Sequence, residues 1–327
     1  MKKSIVALAA LASLTAAGTA AAQSSVTLYG RVDASIGSER VDDVSTTKLY
    51  SGNLTTSRLG FRGSEDLGGG LKANFQLEAA LTLDDGTAGS LKFNRASWVG
   101  LSGGFGAVRA GLLDSAYKDI YDMGNSNNVF DSAFTPTNVA YAGVGNYTSR
   151  PSNHIRYDTP SFGGFSGGLS VALDETAGVS NDANAVNLRY RAGGLDVGLG
   201  VQKQKNSVVA DERDYRVIAA AYDFKVVRVS GQYQVAEQGN GLEDNEYAIG
   251  VTMPLGAFEL SAGYAMGKSE LSGVTTEEGK AFALGATYAL SKRTKLYGGY
   301  LDGEVENGVG TVTTDRRLFA LGVRHDF

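Results

Sequence analysis

The sequence of 327 residues carries 30 lysines and arginines against 35 aspartates and glutamates, so its formal net charge is −5, and it contains no cysteine. This acidic balance without a basic block excludes a nucleic-acid-binding protein, and a secreted chain without cysteine must be held together by something other than disulfides. Glycine is abundant, at 44 residues. After residue 22, no run approaches the ~18 consecutive apolar residues of a membrane-spanning helix.

The first residues have the three parts of a secretory signal peptide. Two lysines precede an apolar run over residues 5–14, and the alanines at 20–22 supply an A-x-A cleavage site. We predict a signal peptide over residues 1–22, which leaves residues 23–327 as a single domain. The alternative is a membrane anchor, but the apolar run is too short for one.

From Val26 onward, apolar and polar residues alternate with period two, which predicts β-strands. The stretch "VTLYGRVDASIG" places Val26, Leu28 and Val32 on one face and Arg31 and Asp33 on the other. The predicted strands lie near residues 26–36, 57–63, 70–83, 92–101, 106–112, 153–159, 165–174, 185–192, 195–205, 214–224, 226–237, 245–253, 257–267, 280–290, 293–301 and 316–327. Short turns alternate with longer polar connections, so these sixteen strands form an up-and-down meander.

Two architectures use such strands, a large soluble sandwich or barrel and a transmembrane barrel. Sixteen strands enclose a lumen too wide for side chains to fill, so an apolar interior would be an empty cavity. We therefore predict an all-β, closed antiparallel transmembrane β-barrel with a wet lumen and its apolar face toward lipid. The alternation continues to the last residue, which predicts that the final strand pairs with the first and that Phe327 lies in an interfacial aromatic belt.

Four stretches carry a resemblance to a known family: "SSVTLYGRVD" after the signal peptide, "SRLGFRGSEDLGGGLKA" at 57–73, "FNRASWVGLSGGFGAVRAG" at 93–111 and the terminal "LGVRHDF". In order and spacing they resemble the Gram-negative general porins of the beta-proteobacterial type, over essentially the whole mature chain. The resemblance implies a trimeric outer-membrane porin, surrounded by lipid and lipopolysaccharide, whose third long loop folds into the lumen. It also implies that the outer-membrane insertion machinery reads the C-terminal aromatic residue, here Phe327.

The third long connection runs from about Leu113 to Pro151, and loops of this length are commonly functional. Folded into the barrel, it would narrow the pore. Its charged residues assigned to the constriction are Asp114, Asp119, Asp122 and Arg150.

Strand parity predicts that four arginines face the lumen: Arg58, Arg62, Arg109 and Arg156. Arg95 shares its parity with Val99 and Leu101, so periodicity alone places it outward, whereas the resemblance places the "FNR" arginine in the pore. We follow the resemblance, and a β-bulge would resolve the conflict. In some anion-preferring relatives a basic cluster faces acidic loop residues, and Arg58, Arg95 and Arg150 match that cluster best.

The function predicted from these features is passive diffusion of small hydrophilic solutes and ions through a water-filled pore, without a cofactor. Six arginines against three aspartates at the predicted constriction favour anions moderately, because screening makes the nearest charges dominate. The alternative is a substrate-specific channel lined by aromatic residues, which Tyr117, Tyr121, Phe130 and Phe134 leave open. An adhesin role of the external loops is neither supported nor excluded.

An enzyme is disfavoured. "AGYAMGKS" at 262–269 resembles a phosphate-binding loop, but Ala262 replaces its first glycine and no helical pattern follows. The zinc-hydrolase motif H-E-x-x-H is missing, and the chain has no cysteine nucleophile. His154 and His325 lie on different predicted strands and do not make a metal site.

Small residues predicted to face outward near the two termini suggest close contact between barrels. They are Gly30, Ala34, Ala73, Ala79 and Ala320. We predict a homotrimer whose contact involves the N- and C-terminal strands and their neighbours.

Overall fold

A computed structural model describes residues 25–86, 91–125, 131–141, 143–174, 182–206 and 211–327. The predicted signal peptide and Phe130 lie outside the described residues. The β-segments are β1 (Ser25–Val41), β2 (Val44–Ser51), β3 (Arg58–Gly68), β4 (Leu71–Ala80), β5 (Ala96–Gly103), β6 (Gly106–Leu112), β7 (His154–Asp158), β8 (Phe165–Ala172), β9 (Ala183–Ala192), β10 (Leu195–Asn206), β11 (Asp211–Asp223), β12 (Arg228–Gln238), β13 (Leu242–Leu255), β14 (Phe258–Leu271), β15 (Val274–Ala289), β16 (Thr294–Asn307) and β17 (Val312–Asp326). The helices are α1 (Ala116–Asn125) and α2 (Thr137–Ala140). No helix within these ranges is long and apolar enough to cross a membrane.

The seventeen segments seen in the described ranges form sixteen barrel strands, because β2 and β3 are two parts of one strand. β2 pairs with the second half of β1, from Ala34 to Val41, and β3 pairs with its first half, from Ser25 to Arg31. The other strands pair antiparallel with their sequence neighbours, and β17 pairs with β1. The predicted closed sixteen-stranded antiparallel barrel is confirmed.

The barrel closes between its first and last strands, with Arg31 opposite Asp326 and Val41 opposite Arg316. Beyond the last paired strand residue, the backbones of Gly30 and Phe327 exchange two hydrogen bonds of 3.1 Å. The Phe327 ring covers Gly30, where a Cβ atom would lie only 2.2 Å from the ring Cζ. Glycine at position 30 therefore lets the terminal aromatic ring lie flat across the closing strands.

The outer face is apolar, as period two predicted. Exposed side chains include Val26, Leu28, Leu199 and Leu284. Near the short turns, aromatic pairs line the outside, such as Phe258–Tyr288, with ring centroids 4.6 Å apart. A second set, such as Tyr233–Tyr247 at 4.8 Å, lies nearer the long connections. Aromatic side chains thus border the apolar band on both sides, the arrangement expected at the two membrane interfaces.

Several strands are longer than predicted, mostly toward the long connections, although β3 extends to Gly68 toward a short turn. β15 begins at Val274 rather than near 280, and β16 ends at Asn307 rather than near 301. Residues 37–57, predicted as a polar connection, contain the end of β1 and all of β2. Beyond the apolar band both faces of a strand are polar, as in the Lys280–Glu304 ion pair at 2.8 Å. The period-two signal therefore ends before the strand does.

Strand length divides the barrel wall into two parts. Strands β5 to β8, the low sector, contain 8, 7, 5 and 8 residues. Strands β10 to β17, the tall sector, contain 11 to 16 residues each. A transmembrane β-strand needs about 9–11 residues to cross the hydrocarbon core, so the tall sector meets this length and the low sector does not.

Three of the five small residues assigned to an outer contact surface are not available there. Ala320 alternates with the outward Phe319 and faces inward, with no exposed surface. Ala79 is also fully covered, and Gly30 lies beneath Phe327. Ala34 and Ala73 remain partly exposed. Ala320 was assigned the wrong face, because its strand alternates from Phe319.

Candidate pore constriction

The described parts of the long loop, residues 113–125, 131–141 and 143–153, lie inside the barrel against the inner wall of β9 to β16. On α1, Tyr117 and Ile120 are fully buried against two glycines of β10. A Cβ atom on Gly198 would lie 2.4 Å from Ile120 Cδ1, and one on Gly200 would lie 3.3 Å from Tyr117 Cδ2. The missing side chains on this wall make room for the helix.

The second half of the loop uses the same kind of surface. The carbonyl oxygen of Ala140 would be 2.6 Å from a Cβ on Gly267 and 2.3 Å from one on Gly279. The Phe134 ring covers Gly299 of β16, at 2.8 Å from where a Cβ would be. Small inward residues thus form the surface that carries the loop.

Aromatic residues of the loop pack together rather than forming a lining for the pore. The rings of Tyr117 and Tyr121 lie 4.8 and 4.9 Å from that of Tyr147. Burial raises the pKa of Tyr117 and of Tyr147 well above the ordinary value for tyrosine, so both phenols stay protonated. The Tyr117 hydroxyl donates a hydrogen bond to the side-chain oxygen of Gln234 on the barrel wall. Phe134, like Tyr117, is fully buried.

Arg156 of β7 holds the start of the loop. Its guanidinium donates to the carbonyl oxygens of Asp114 and Ser115, both at 3.0 Å, and pairs with the carboxylates of Asp119 and Asp158. The Arg156 side chain is only 5% exposed. Its charge is balanced by two carboxylates, so Arg156 anchors the loop and leaves little free charge for the pore.

On the other side of the pore, two arginines share one carboxylate. Arg95 Nε donates to Glu78 Oε1 at 2.7 Å, and Arg58 Nη1 lies 3.8 Å from the same oxygen. Arg95 precedes β5, which begins at Ala96, so strand parity does not extend to it. The side chain of Arg95 reaches the lumen because the inward–outward alternation of β5 begins only at Ala96.

A second shared carboxylate lies where the barrel closes. Arg31 Nε is 2.5 Å from Asp326 Oδ1, and Arg324 Nη2 is 2.8 Å from Asp326 Oδ2. Lys295 lies directly opposite Arg324 on the neighbouring strand. These residues were not predicted to line the pore. They alternate with outward apolar residues along their strands, and that alternation would have placed them on the inner face.

Between the loop and this basic wall lies a cavity of about 970 Å³. Among the described residues, its basic lining consists of Arg31, Arg58, Arg95, Lys118, Arg150, Arg189, Arg228, Lys295 and Arg324. Its acidic lining, within the same ranges, consists of Asp119, Asp122, Asp131 and Glu259. Nine basic groups therefore face four acidic groups.

The structure brings five of the nine predicted constriction residues to this cavity and leaves four outside its lining. The five are Arg58, Arg95, Arg150, Asp119 and Asp122. Asp114 forms an ion pair with Arg150 at 2.7 Å. The remaining three are Arg156, described above, Arg62, which lies 5.1 Å from the centre of the Tyr29 ring, and Arg109, which pairs with Asp158.

Comparison with known proteins shows the family. A family model described as Gram-negative porin matches residues 7–308. Outer membrane porin protein 32 from Delftia acidovorans is 38% identical over 315 residues, which cover 91% of this chain and 88% of that protein. An outer membrane porin protein from Bordetella pertussis is 30% identical over the full length of both chains. Major outer membrane protein P.IB from Neisseria lactamica is 29% identical over the same extent.

Solved structures agree in fold. The anion-selective porin from Comamonas acidovorans superimposes with a TM-score of 0.80 at 32% identity, over 93% of this chain and 100% of that one. The trimer form of OmpT from Vibrio cholerae gives a TM-score of 0.73 at 18% identity, over 93% and 99%, which shows the fold alone. These matches confirm the predicted resemblance, and the chain belongs to the Gram-negative porin family as an outer-membrane porin of the beta-proteobacterial type.

Proposed function

We propose that this porin lets small hydrophilic solutes and ions diffuse passively and prefers anions. The observation that carries the preference is the lining of the cavity, where the described part of the chain contributes nine basic and four acidic side chains. The whole chain is acidic, with a net charge of −5, so its global charge would predict cations. Screening over about 8 Å at physiological salt makes the nearest charges decide.

Pairing within the lining strengthens this argument. Arg58 and Arg95 share Glu78, and Arg31 and Arg324 share Asp326, so each group keeps an excess positive charge. On the loop, by contrast, Lys118 pairs with Asp122 one to one. Excess charge therefore lies on the barrel wall. The similar porin from Comamonas acidovorans is anion-selective, which points the same way.

The test is the reversal potential of single channels in a planar bilayer under a salt gradient. Replacing Arg58 and Arg95 together by serine should shift it toward cations, with only a modest rise in conductance because the loop stays in place. A matched control is Lys268→Ser, which removes a lysine paired with Glu270 at 2.8 Å on the outer face. An unchanged reversal potential at low salt in the double variant would contradict a role of these two arginines.

A substrate-specific channel, the alternative from the sequence, finds less support. It would use loop aromatics as a lining, but Tyr117 and Phe134 are buried against the wall. Of the aromatic residues named for it, Tyr121 reaches the cavity in the described part of the loop. Membership in a channel family likewise supports our proposal that the protein has no enzymatic activity.

We further propose a homotrimer whose contact is centred on the low sector, rather than on the N- and C-terminal strands predicted from the sequence. Strands of 5 to 8 residues are too short to cover the hydrocarbon thickness alone. Their outer faces are nevertheless apolar, with Val99, Leu101 and Ile155 exposed. A neighbouring copy would cover them, and a structural neighbour has been described in trimer form. Mass measurement in mild detergent that gives monomer under all conditions would contradict this.

Three remaining proposals concern the route to the membrane and the surroundings there. Cleavage after Ala22 would release the signal peptide, which N-terminal sequencing of the membrane-inserted protein would check. Phe327 would serve as the signal to the insertion machinery. Lipid and lipopolysaccharide would surround the tall sector, because its strands have the length and the aromatic borders for that environment.

A further inference from the structure

The second barrel strand is interrupted by an inward turn. Between β2 and β3, residues 52–57 lie opposite only two residues of β1, Val32 and Asp33. The four extra residues cannot stay in the sheet, and they fold into the lumen, where Asn53, Leu54 and Thr55 are buried. We refer to residues 52–57 as the inner turn.

A single carboxylate holds the inner turn. Asp33 Oδ2 accepts the backbone N–H groups of Leu54 at 3.1 Å and Thr55 at 2.8 Å. Its other oxygen accepts the Tyr297 hydroxyl at 2.5 Å. The Asp33 backbone also closes both ends of the turn, since its carbonyl accepts Gly52 N–H at 2.9 Å and its N–H donates to Ser57 Oγ at 3.0 Å.

The Thr55 hydroxyl joins the two sides of the pore. It accepts from Arg58 Nη2 at 2.9 Å and from Arg31 Nη1 at 3.4 Å. It donates its single hydrogen bond to Asp131 Oδ2 of the long loop, at 2.7 Å. A hydroxyl has one donor and two acceptor sites, so all three are used. Thr55 thereby stands between the Asp131 carboxylate and two of the arginines that carry excess positive charge.

The inner turn also fixes the loop where it crosses the pore. Asn53 O accepts the Ala133 N–H at 3.1 Å. Leu54 and Phe134 belong to one buried apolar cluster with Tyr297. Loop residues 131–134 thus receive both hydrogen bonds and apolar contacts from the inner turn. The loop is therefore attached to the wall on the side of the pore opposite α1.

We propose that the inner turn is a positioning element for selectivity and that Thr55 is its specificity-determining residue. Asp33 holds the turn inward, and the turn places Thr55 so that its hydroxyl keeps Asp131 from pairing directly with Arg58 and Arg31. Both guanidiniums then keep their charge available to passing ions. This inference rests on the proposed anion preference and adds to it a neutral side chain that controls how much of the basic charge is free.

The test compares Thr55→Val, which keeps the shape and removes the hydroxyl, with Thr55→Ser, which keeps the hydroxyl. We expect Thr55→Val to lower the anion-to-cation permeability ratio by about twofold, because Asp131 would then pair directly with Arg58 or Arg31. Thr55→Ser should keep the parental ratio. Equal ratios in both variants would overturn the inference, since a purely structural role of Thr55 does not predict a difference in selectivity between assembled channels.

A second substitution ties the effect to Asp131. In an Asp131→Asn background, Thr55→Val should no longer lower the ratio, whereas an undiminished drop would overturn the inference. Where Thr55→Val gives no channels, Asp131→Asn alone should raise the ratio, and an unchanged ratio would overturn the inference. The parental reversal potential tests the anion preference itself, so the two proposals can fail separately.

Discussion

The tall and low sectors of the barrel wall differ on their inner and outer faces. The difference shows that one sector carries the loop and the other borders the open part of the pore. On the inside, the tall sector offers glycines such as Gly198, Gly279 and Gly299, and the loop packs over them. Arg95 lies at the start of the low sector and Arg58 beside it, so this part of the basic wall stays open to the pore. On the outside, the tall sector can span a bilayer, whereas the low sector is too short to do so alone.

The largest expected effect comes from the β1–β17 strand pair, which closes the barrel at the edge of the tall sector. Phe327→Asp removes a half-buried ring from Gly30 and places a charge near lipid. Loss of the ring alone costs about 1–2 kcal/mol, so we expect assembled trimer to fall by about tenfold while signal-peptide cleavage continues. Heat-modified mobility on gels measures the assembled fraction. Phe327→Tyr is the matched control and should assemble normally, and normal yield from Phe327→Asp would contradict the prediction.

The outer faces of the low and tall sectors are compared by introducing one lysine on each. Val99→Lys on the low sector should prevent trimer formation, because it would bury an unpaired ammonium between copies. Ile249→Lys on the tall sector should keep the trimer and lower barrel stability by about 2–4 kcal/mol, the cost of a lysine at mid-membrane depth. Mass in mild detergent and urea titration separate the two results. Trimers from Val99→Lys would move the contact away from the low sector.

The inner face of the tall sector is tested by adding one methyl group. Gly279→Ala should lift the loop, because the new Cβ would lie 2.3 Å from the Ala140 carbonyl oxygen. We expect single-channel conductance to rise by up to about twofold, since the sixteen-stranded lumen is wide without the loop. Gly298→Ala on β16 is the control, because its Cβ would meet only the flexible end of Leu321, at 2.7 Å. Parental conductance in both variants would mean that the loop does not depend on this glycine.

The smallest effect is expected where an arginine lies outside the cavity. Arg62 is four residues from Arg58 along β3, or about 13 Å at the usual rise per residue, which exceeds the screening length of about 8 Å. Arg62→Ser should therefore shift the reversal potential less than half as far as Arg58→Ser. Equal shifts would show that the selective region extends toward the short turns.

The number of strands, and which face of each strand points outward, could be predicted from the sequence. Lipid requires an apolar outer face on every spanning strand, and this produces the period-two pattern. Period two revealed all of the barrel strands, although the second was found only in part. On the outer face of β2, Leu49 is the single apolar residue among Ser45, Thr47 and Ser51, so the alternation is not visible there. The position of Arg95 depends on where β5 begins, which periodicity does not reveal. Arg156 resembled a lumen charge, but its partners come from the folded loop. The inner turn was not predicted, because it is held by Asp33, which is itself bonded to Tyr297 264 positions away.

The pairing of β1 with β17 also has a consequence for the order of folding. Arg31 meets Asp326 across 295 residues of sequence, so the last contact to form is also the most distant one along the chain. Until β17 has been synthesised and exported, both ends of the growing sheet keep unpaired backbone groups that hydrocarbon cannot satisfy. Contacts of such long range form slowly. Insertion of this barrel must therefore wait until β17 can pair with β1.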